Sequence, residues 1–502
     1  MERATSEEPL AYRAVRGGLW VALSAYWTLA FGFVANILLT RMLAPEAFGT
    51  FALAMFFAQL FRIQTKLRLG YAFGQHPETT GESLGTYAVL EGAAALGGLV
   101  LMGMMVPVLR ALGYGEQVVM AALVLSFAAF LEGIASIAGT LLEKGLRFGA
   151  TSLYQSLVFP LSYLPAFWLA LHGGGVWSLV AQTTAYSFFL LGLVLISLRQ
   201  LPHLWQQRWE FRWDLALSFL RFGSVAGLWL MAGTLFAQLD SFLIGTFVGV
   251  TTLGYYDRAY RIAQWPGLIF NAVLARAAFY TYARLRRDRE QLKKTADMIS
   301  WTIAMIASPL ALAILLTAQE IVLLLYGERW LPSALFLQIL IACFVIRPYL
   351  EHVGILLNAT GRPMQAATLQ WIQVGVLGIA GVPLTLRWGA LGTCGAVGLA
   401  LAIGFVLASV SLRRDLQMDL RTALRIWRVA AGLLIATLLM TSFSHFRWSF
   451  APHGWLLTVS KFASAFVLFY ALMFVIDPAT IREQTGYIWR LTTGHKQRLS
   501  KR

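Results

Sequence analysis

Fourteen stretches of about 20 mainly apolar residues follow one another along the chain, each long enough for a helix to cross the hydrocarbon core of a bilayer. They run near 18–40, 47–66, 84–107, 117–142, 152–171, 176–198 and 222–249, then 257–283, 298–325, 333–358, 366–386, 389–412, 424–444 and 455–476. Lipid offers the backbone no hydrogen-bond partner, so spans must be helices or closed barrels, and the two-residue alternation of barrel strands is missing from these runs. The predicted fold is therefore all-α and polytopic, with about 14 transmembrane helices. The second span is the weakest, because Arg62, Lys66 and Arg68 interrupt its end. Composition agrees: 13% of the 502 residues are charged, where a soluble protein would carry about a quarter.

A net charge of +16 raises the question of nucleic acid, and the distribution of the charge answers it. With the N-terminus cytoplasmic, 30 of the 40 Lys and Arg fall on the inner side, eight outside and two within helices. Arg284, Arg286, Arg287, Arg289, Lys293 and Lys294 form one inner cluster, and Arg413, Arg414, Arg421, Arg425 and Arg428 another. This is the positive-inside asymmetry of a multi-pass membrane protein with both termini cytoplasmic, and contact with anionic lipid is a secondary consequence. The first 18 residues, MERATSEEPLAYRAVRGG, lack the apolar core and cleavage site of a signal peptide, so the first span is expected to stay. Cys343 and Cys394 both fall inside spans, which excludes a disulfide framework. No HExxH, GxSxG, Walker or dinucleotide motif occurs. The chemistry expected is transport, with no catalytic residue, no metal and no cofactor.

Residues 199–221 form the longest polar interruption of the first half and separate six spans from eight. Their Trp and Arg residues suit a cytoplasmic interfacial linker. At an offset of 205, Arg16 falls on Arg221, Gly18 on Gly223, Leu23 on Leu228, Phe31 on Phe236, Leu38 on Leu243, Gly49 on Gly254 and Ala54 on Ala259. The pattern suggests a parallel repeat: an N-terminal lobe over 1–198, a C-terminal lobe over 222–412, two additional helices over 413–476 and a cytoplasmic tail over 477–502. In transporters built this way the binding site lies between the halves near the midplane. The outer loops are short, roughly 3 to 14 residues. A membrane-embedded glycan polymerase or ligase would need a larger one to present its catalytic groups.

Charges inside spans are costly and are functional candidates by default. Here they are Glu91, Glu132, Asp240, Arg258, Arg261, Arg276, Arg347 and Glu351. In an unbroken helix Arg258 and Arg276 lie five turns apart on one face, about 27 Å along the axis, with Arg261 about 60° around. Arg347, Glu351 and Asn358 likewise share one face of the tenth span. Pro348 should loosen the backbone there, and kinks are expected at Pro160, Pro165, Pro266, Pro309 and Pro383. A line of guanidinium groups facing a cavity suits an anionic, phosphate-bearing ligand. Bland alternatives stand beside each assignment. Arg347 simply neutralises Glu351, Arg276 snorkels to headgroups, and Arg258 caps a loop or pairs with Asp257. Glu91, Glu132 and Asp240 are candidates for proton or Na+ coupling, set against close packing at Glu91 and an interhelical hydrogen bond or ion pair at Asp240.

The series LGYYDRAYRI, ARAAFYTYARLRRDREQL, SPLALAILLTAQEIVLLLYGERWLPSALFLQIL and NATGRP, with TRMLAPEAFGTFALA, LLEKGLRFGA and QLDSFLIGTFVG, resembles the Wzx/WzxC-type polysaccharide flippases. These belong to the multidrug/oligosaccharidyl-lipid/polysaccharide exporter superfamily. The resemblance covers about residues 16 to 412 in order. One departure is Tyr280, where the family often has proline. The resemblance implies two six-helix lobes around a V-shaped cavity, in the plasma (inner) membrane of a bacterium. It implies movement of undecaprenyl-diphosphate-linked oligosaccharide from the inner to the outer leaflet, with polysaccharide polymerase machinery as a further partner. Arg258, Arg261, Arg276 and Arg347 would then hold the diphosphate, with Asn358 nearby. Trp265 would stack on sugar, unless it is only an interfacial anchor. A drug antiporter of the same fold and a peptidoglycan-precursor flippase remain the alternatives within transport.

Overall fold

The computed structural model describes residues 10–62, 67–268, 275–416 and 455–492, together with residues 432 and 435. All regular structure among them is helical. In chain order the first part comprises α1 (Leu10–Met42), α2 (Pro45–Leu60), α3 (Leu69–Gln75), α4 (Gly81–Ala111), α5 (Glu116–Lys144), α6 (Phe148–Leu161), α7 (Tyr163–Leu171), α8 (Val176–Leu190), α9 (Gly192–Gln200), α10 (Pro202–Trp205) and α11 (Trp213–Phe247). There follow α12 (Val250–Ala263), α13 (Ala275–Leu285), α14 (Arg289–Leu316), α15 (Ala318–Tyr326), a 3-10 turn (Glu328–Trp330), α16 (Ser333–Phe344), α17 (Arg347–Ala359), α18 (Pro363–Leu416), α19 (Trp455–Ile476) and α20 (Pro478–Thr492). Nine helical stretches among the described residues are long and apolar enough to cross a membrane. The chain is a polytopic, all-α membrane protein.

Proline accounts for two of the five expected spans that are missing from the nine long stretches. The fifth expected span is parted at Ser162 into α6 and α7, because Pro165 has no N–H to donate to the Leu161 carbonyl. The eighth is interrupted at Gln264, where Pro266 cannot bond the Ile262 carbonyl; residues 269–274 of that span lie outside the described residues. Pro348 does the same at the start of α17. Pro309 and Pro383, by contrast, sit inside α14 and α18 without ending them. The break in α18 falls instead at Gly389, whose φ of 59° belongs to the left-handed region that glycine tolerates. It divides the eleventh expected span from the twelfth. α13 runs through Tyr280 unbroken. The second expected span is the 16-residue α2, which stops before Arg62. The thirteenth, 424–444, lies outside the described residues but for 432 and 435.

Two compact units result: Met1–Asp257 with Gly381–Thr393, and Arg258–Ala380 with Cys394–Arg502. In the first, α4 packs along α5, α5 against α2 and α8, and α1 against α6. One of its cores gathers Leu69, Phe73, Leu84, Tyr87, Leu141 and Phe219, with the Phe73 and Tyr87 rings stacked at 4.7 Å. A capping box starts α4: Thr80 Oγ1 accepts from the Ser83 amide at 3.2 Å, and the Thr80 amide donates to Ser83 Oγ at 3.0 Å. The segment after α10 crosses that helix start. A Cβ on Gly81 would overlap the Arg208 carbonyl, the Arg212 amide donates to Thr86 Oγ1 at 3.0 Å, and Arg212 pairs with Glu82 and Asp214, each at 2.8 Å. In the second unit α14 packs on α19 through Trp301, Met305, Leu312, Phe469 and Met473. Lys461 Nζ donates to Glu320 Oε1 at 2.5 Å.

The 205-residue register has a physical counterpart inside the first unit. A Cβ on Gly49 would overlap the carbonyl oxygen of Val250, and one on Gly254 would overlap that of Pro45. Thr251 Oγ1 donates to Glu46 Oε1 at 3.0 Å. Pro45 and Val250, Glu46 and Thr251, and Gly49 and Gly254 are all partners at the same offset. The start of α2 thus meets the start of α12 reciprocally, as the two copies in an isologous contact do. Glycine is required at the crossing because apolar surface gains nothing by association in lipid, and backbones held together by dispersion must come close.

Candidate functional site

In the second unit, α17 places Arg347 on its first turn, where Pro348 has opened the backbone. Arg347 Nε donates to Glu351 Oε1 at 3.2 Å, one turn along the same helix. Its Nη1 donates to Tyr260 Oη at 3.0 Å. The guanidinium lies 5.2 Å from the Phe344 ring centroid, within cation–π range. Glu351 also backs onto Gly267, where a Cβ would sit 3.8 Å from Oε2. Arg347 and Glu351 are thus brought together as expected. Tyr260 is a partner the sequence reading missed; its only signal was its place in the same AYRI run as Arg261. Asn358 folds back, donating from Nδ2 to the Gly354 carbonyl at 2.8 Å.

The other arginines fare differently. Arg258, on α12, is 2% exposed, whereas Arg261 one turn on is exposed. Trp265 is half-buried just past the interruption at Gln264. Arg276 stands on α13, but its side chain lies outside the described residues. The shared-face relation of Arg258 and Arg276 assumed an unbroken helix, and the turn at Gln264 removes that assumption. His352, next to Glu351, is wholly buried: Tyr282 Oη lies 2.5 Å from Nε2 and Ser300 Oγ 3.3 Å from Nδ1.

The first unit holds the three acidic candidates, each with its own environment. Asp240, on α11 and 1% exposed, accepts from Tyr256 Oη at 2.6 Å through Oδ2 and from the Ser241 amide at 2.7 Å through Oδ1. An interhelical hydrogen bond therefore occupies Asp240. Glu132, on α5, pairs with Arg62 and accepts from Ser187 Oγ of α8 at 2.8 Å; Arg62 and Glu132 are each 20% exposed. Arg62 entered the sequence reading only as the interruption of a weak span. Glu91, on α4 and 5% exposed, contacts Ser136 Oγ of α5 at 3.0 Å through Oε1, while Oε2 is buried without a hydrogen-bond partner. A small cleft opens between α2 and α11, lined by Phe56, Gln59, Met231, Thr234 and Gln238 among others. No group of three or more potential metal ligands occurs among the described residues. The arrangement offers paired cations and carboxylates, which suits binding and charge movement rather than bond making.

Outside the membrane, at the α4 start, Arg212 holds the Asp214 carboxyl below its usual range, mainly through their hydrogen bond. The Arg212 guanidinium is raised by its bonds to Glu82 and then Asp214.

Comparison with known proteins extends these observations. The chain is 26% identical over 349 residues to the succinoglycan biosynthesis transport protein ExoT of Rhizobium meliloti, covering 67% of this chain and 68% of that one. It is 23% identical over 403 residues to the teichuronic acid biosynthesis protein TuaB of Bacillus subtilis, covering 79% of each. Among solved structures, the lipid II flippase MurJ in an inward closed conformation superposes with a TM-score of 0.69 at 13% identity, over 92% of this chain and all of that one. That likeness speaks for the fold. Residues 38–335, more than half of the chain, match the sequence profile of the family described as polysaccharide biosynthesis protein, and the chain belongs to that family.

Proposed function

We propose that this protein is a flippase that carries a lipid-linked glycan, with undecaprenyl diphosphate as the lipid carrier, from the inner to the outer leaflet of a bacterial plasma membrane by alternating access. The observation that carries the reading is Arg347: an arginine on a membrane helix, half-buried, held by Tyr260 and Glu351 at a proline-opened helix start. A guanidinium has five N–H donors in a fixed fork and stays charged at any working pH. A diphosphate matches that fork bidentately and would compete with Glu351 for it. Arg258, Arg261 and Arg276 would complete the anion path, Asn358 and Trp265 would contact sugar, and the isoprenoid would stay in lipid. Glu91, Glu132 and Asp240 are the candidates for coupling to protons or Na+. Polymerase machinery would take the product on the outer side.

A cation-exporting alternative would need acidic groups open to the cargo. Tyr256 engages Asp240 and Arg62 engages Glu132, which weighs against it. The test is reconstitution of the full-length protein in liposomes with a fluorescent undecaprenyl-diphosphate sugar, followed through its access to a membrane-impermeant quencher. Protein-dependent movement that is lost in Arg347→Ala is expected. Exchange of organic cations with no glycolipid movement would reassign the protein to drug export.

A further inference from the structure

The proton count around Glu91 leads further. A serine hydroxyl has one proton to donate. Ser136 Oγ lies 2.7 Å from the carbonyl oxygen of Gly133 on its own helix and 3.0 Å from Glu91 Oε1. A carbonyl has no proton of its own, so the shorter contact draws on the Ser136 proton, the back-bonding that helical serines commonly make. Glu91 Oε1, at 3.0 Å, then receives the weaker share of that single proton, and a proton on Glu91 would turn this contact into a full hydrogen bond to Ser136 Oγ. The other oxygen points the same way. Glu91 Oε2 is buried with no partner, although an ionised carboxylate calls for donors at both oxygens and is costly to bury without them. Ser187 faces a similar competition, 2.8 Å from Glu132 and 2.9 Å from the Thr183 carbonyl. There the Arg62 guanidinium supplies the carboxylate with a charge partner.

We propose that Glu91 is a proton-binding site: it holds a proton as the neutral acid, donated to Ser136 Oγ, and releases it when Arg62 turns from Glu132 to Glu91. The charged groups around it fit such an exchange. Arg62 acts on Glu91 electrostatically, while Glu132 and Glu143 lie on α5. α3 carries no charged residue; α11 carries Asp214, Arg221 and Asp240, of which Asp214 is tied to Arg212 and Asp240 to Tyr256. In the step, the Glu91 O–H bond breaks, the proton passes to water at the partly exposed Arg62–Glu132 pair, and the carboxylate takes the guanidinium. Glu132 keeps Ser187 and solvent. The inference deepens the coupling role proposed above, but the protonation itself does not depend on what is carried.

Infrared spectroscopy of the full-length protein in phosphatidylglycerol/phosphatidylethanolamine vesicles tests it. At neutral pH the carbonyl stretch of a protonated carboxylic acid is expected in the native protein, absent in Glu91→Gln, weakened in Glu132→Gln, which frees Arg62 to turn to Glu91, and shifted in Ser136→Ala, which removes the acceptor. A band that survives Glu91→Gln unchanged, or no band in the native protein, overturns the proposal. In glycolipid-loaded vesicles with an imposed pH gradient, Glu91→Gln is expected to lose the response to the gradient; a retained response overturns the coupling. Should the band behave as expected while no glycolipid moves, the proton site stands and the flippase reading falls.

Discussion

Replacing Gly49 with alanine places a methyl group where two backbones already touch. The new Cβ would overlap the Val250 carbonyl and lie 2.9 Å from the Gly254 amide nitrogen. Both obstacles are main chain on α12, so no side chain can rotate away, and the helix starts must part. Overpacking of this kind costs about 1–3 kcal/mol. Alanine recovers ~0.5–1 kcal/mol because it loses less conformational freedom in a helix than glycine. The net expectation is a loss of roughly 1–2 kcal/mol for Gly49→Ala. Gly254→Ala meets the Pro45 carbonyl in the mirrored position and should lose the same.

The double variant separates this contact from general helix effects. Once the two starts have moved apart for the first methyl group, the second enters a gap that is already open, so the losses should sum to less than additivity predicts. Gly97→Ala on α4 is the control, since nothing lies within 4 Å of its Cβ position. It should leave stability unchanged or raise it slightly. Reversible unfolding in mixed micelles reads all four proteins. Native-like midpoints for both single variants, or strictly additive losses in the double variant, would refute the reciprocal crossing.

Other consequences concern charge and hydrogen bonding. Arg347→Ala and Arg276→Ala should insert normally and lose glycolipid movement, while Arg347→Lys, which keeps the charge but not the fork, should fall between; native transport by both alanine variants in the liposome assay would remove the diphosphate role. Arg62→Gln and Glu132→Gln should each destabilise by about 1–3 kcal/mol, between the costs of breaking exposed and fully buried pairs, and a double-mutant cycle should return a coupling energy rather than zero. Tyr256→Phe leaves Asp240 short of a donor and should cost about 1–3 kcal/mol in thermal unfolding, whereas Asp240→Asn, still an acceptor, should cost less. Because Arg212 holds the Asp214 carboxyl low, its contribution is complete above the free carboxyl's range near pH ~3.9 and is lost only as pH falls below it. Limited proteolysis between α10 and α11 should therefore be constant from neutral pH to about 5.

Hydrophobic run length carried most of the fold, because each span can be recognised without reference to any other. Helix interruptions were half legible. Pro165, Pro266 and Pro348 fall where the missing N–H faces a carbonyl one turn back, and the helices part there. Pro309 shows that the same residue can be absorbed in a long, well-packed helix. Gly389 breaks α18 where proline was expected to, since a left-handed φ leaves no mark in a Gly-rich apolar run. The 205-residue register was visible only as scattered identities, yet one of its pairs, Gly49 and Gly254, meets in the structure.

Charge partners on other helices were the part sequence could not give, and the two glutamates of the first unit show why. Glu91 and Glu132 are the same residue type on adjacent membrane helices, and composition or spacing treats them alike. What distinguishes them is Arg62, a residue that one-dimensional reading counts as damage to a span. Where α2 stops short, that arginine reaches Glu132, while Glu91 meets a serine that also back-bonds to a carbonyl of its own helix. The partners of each carboxylate are thus set by interhelical neighbours that only packing supplies. In the proposed exchange Arg62 turns from Glu132 to Glu91, and no further residue is called on. One cation shared between two carboxylates would then have two discrete arrangements, which is the property a coupling element requires.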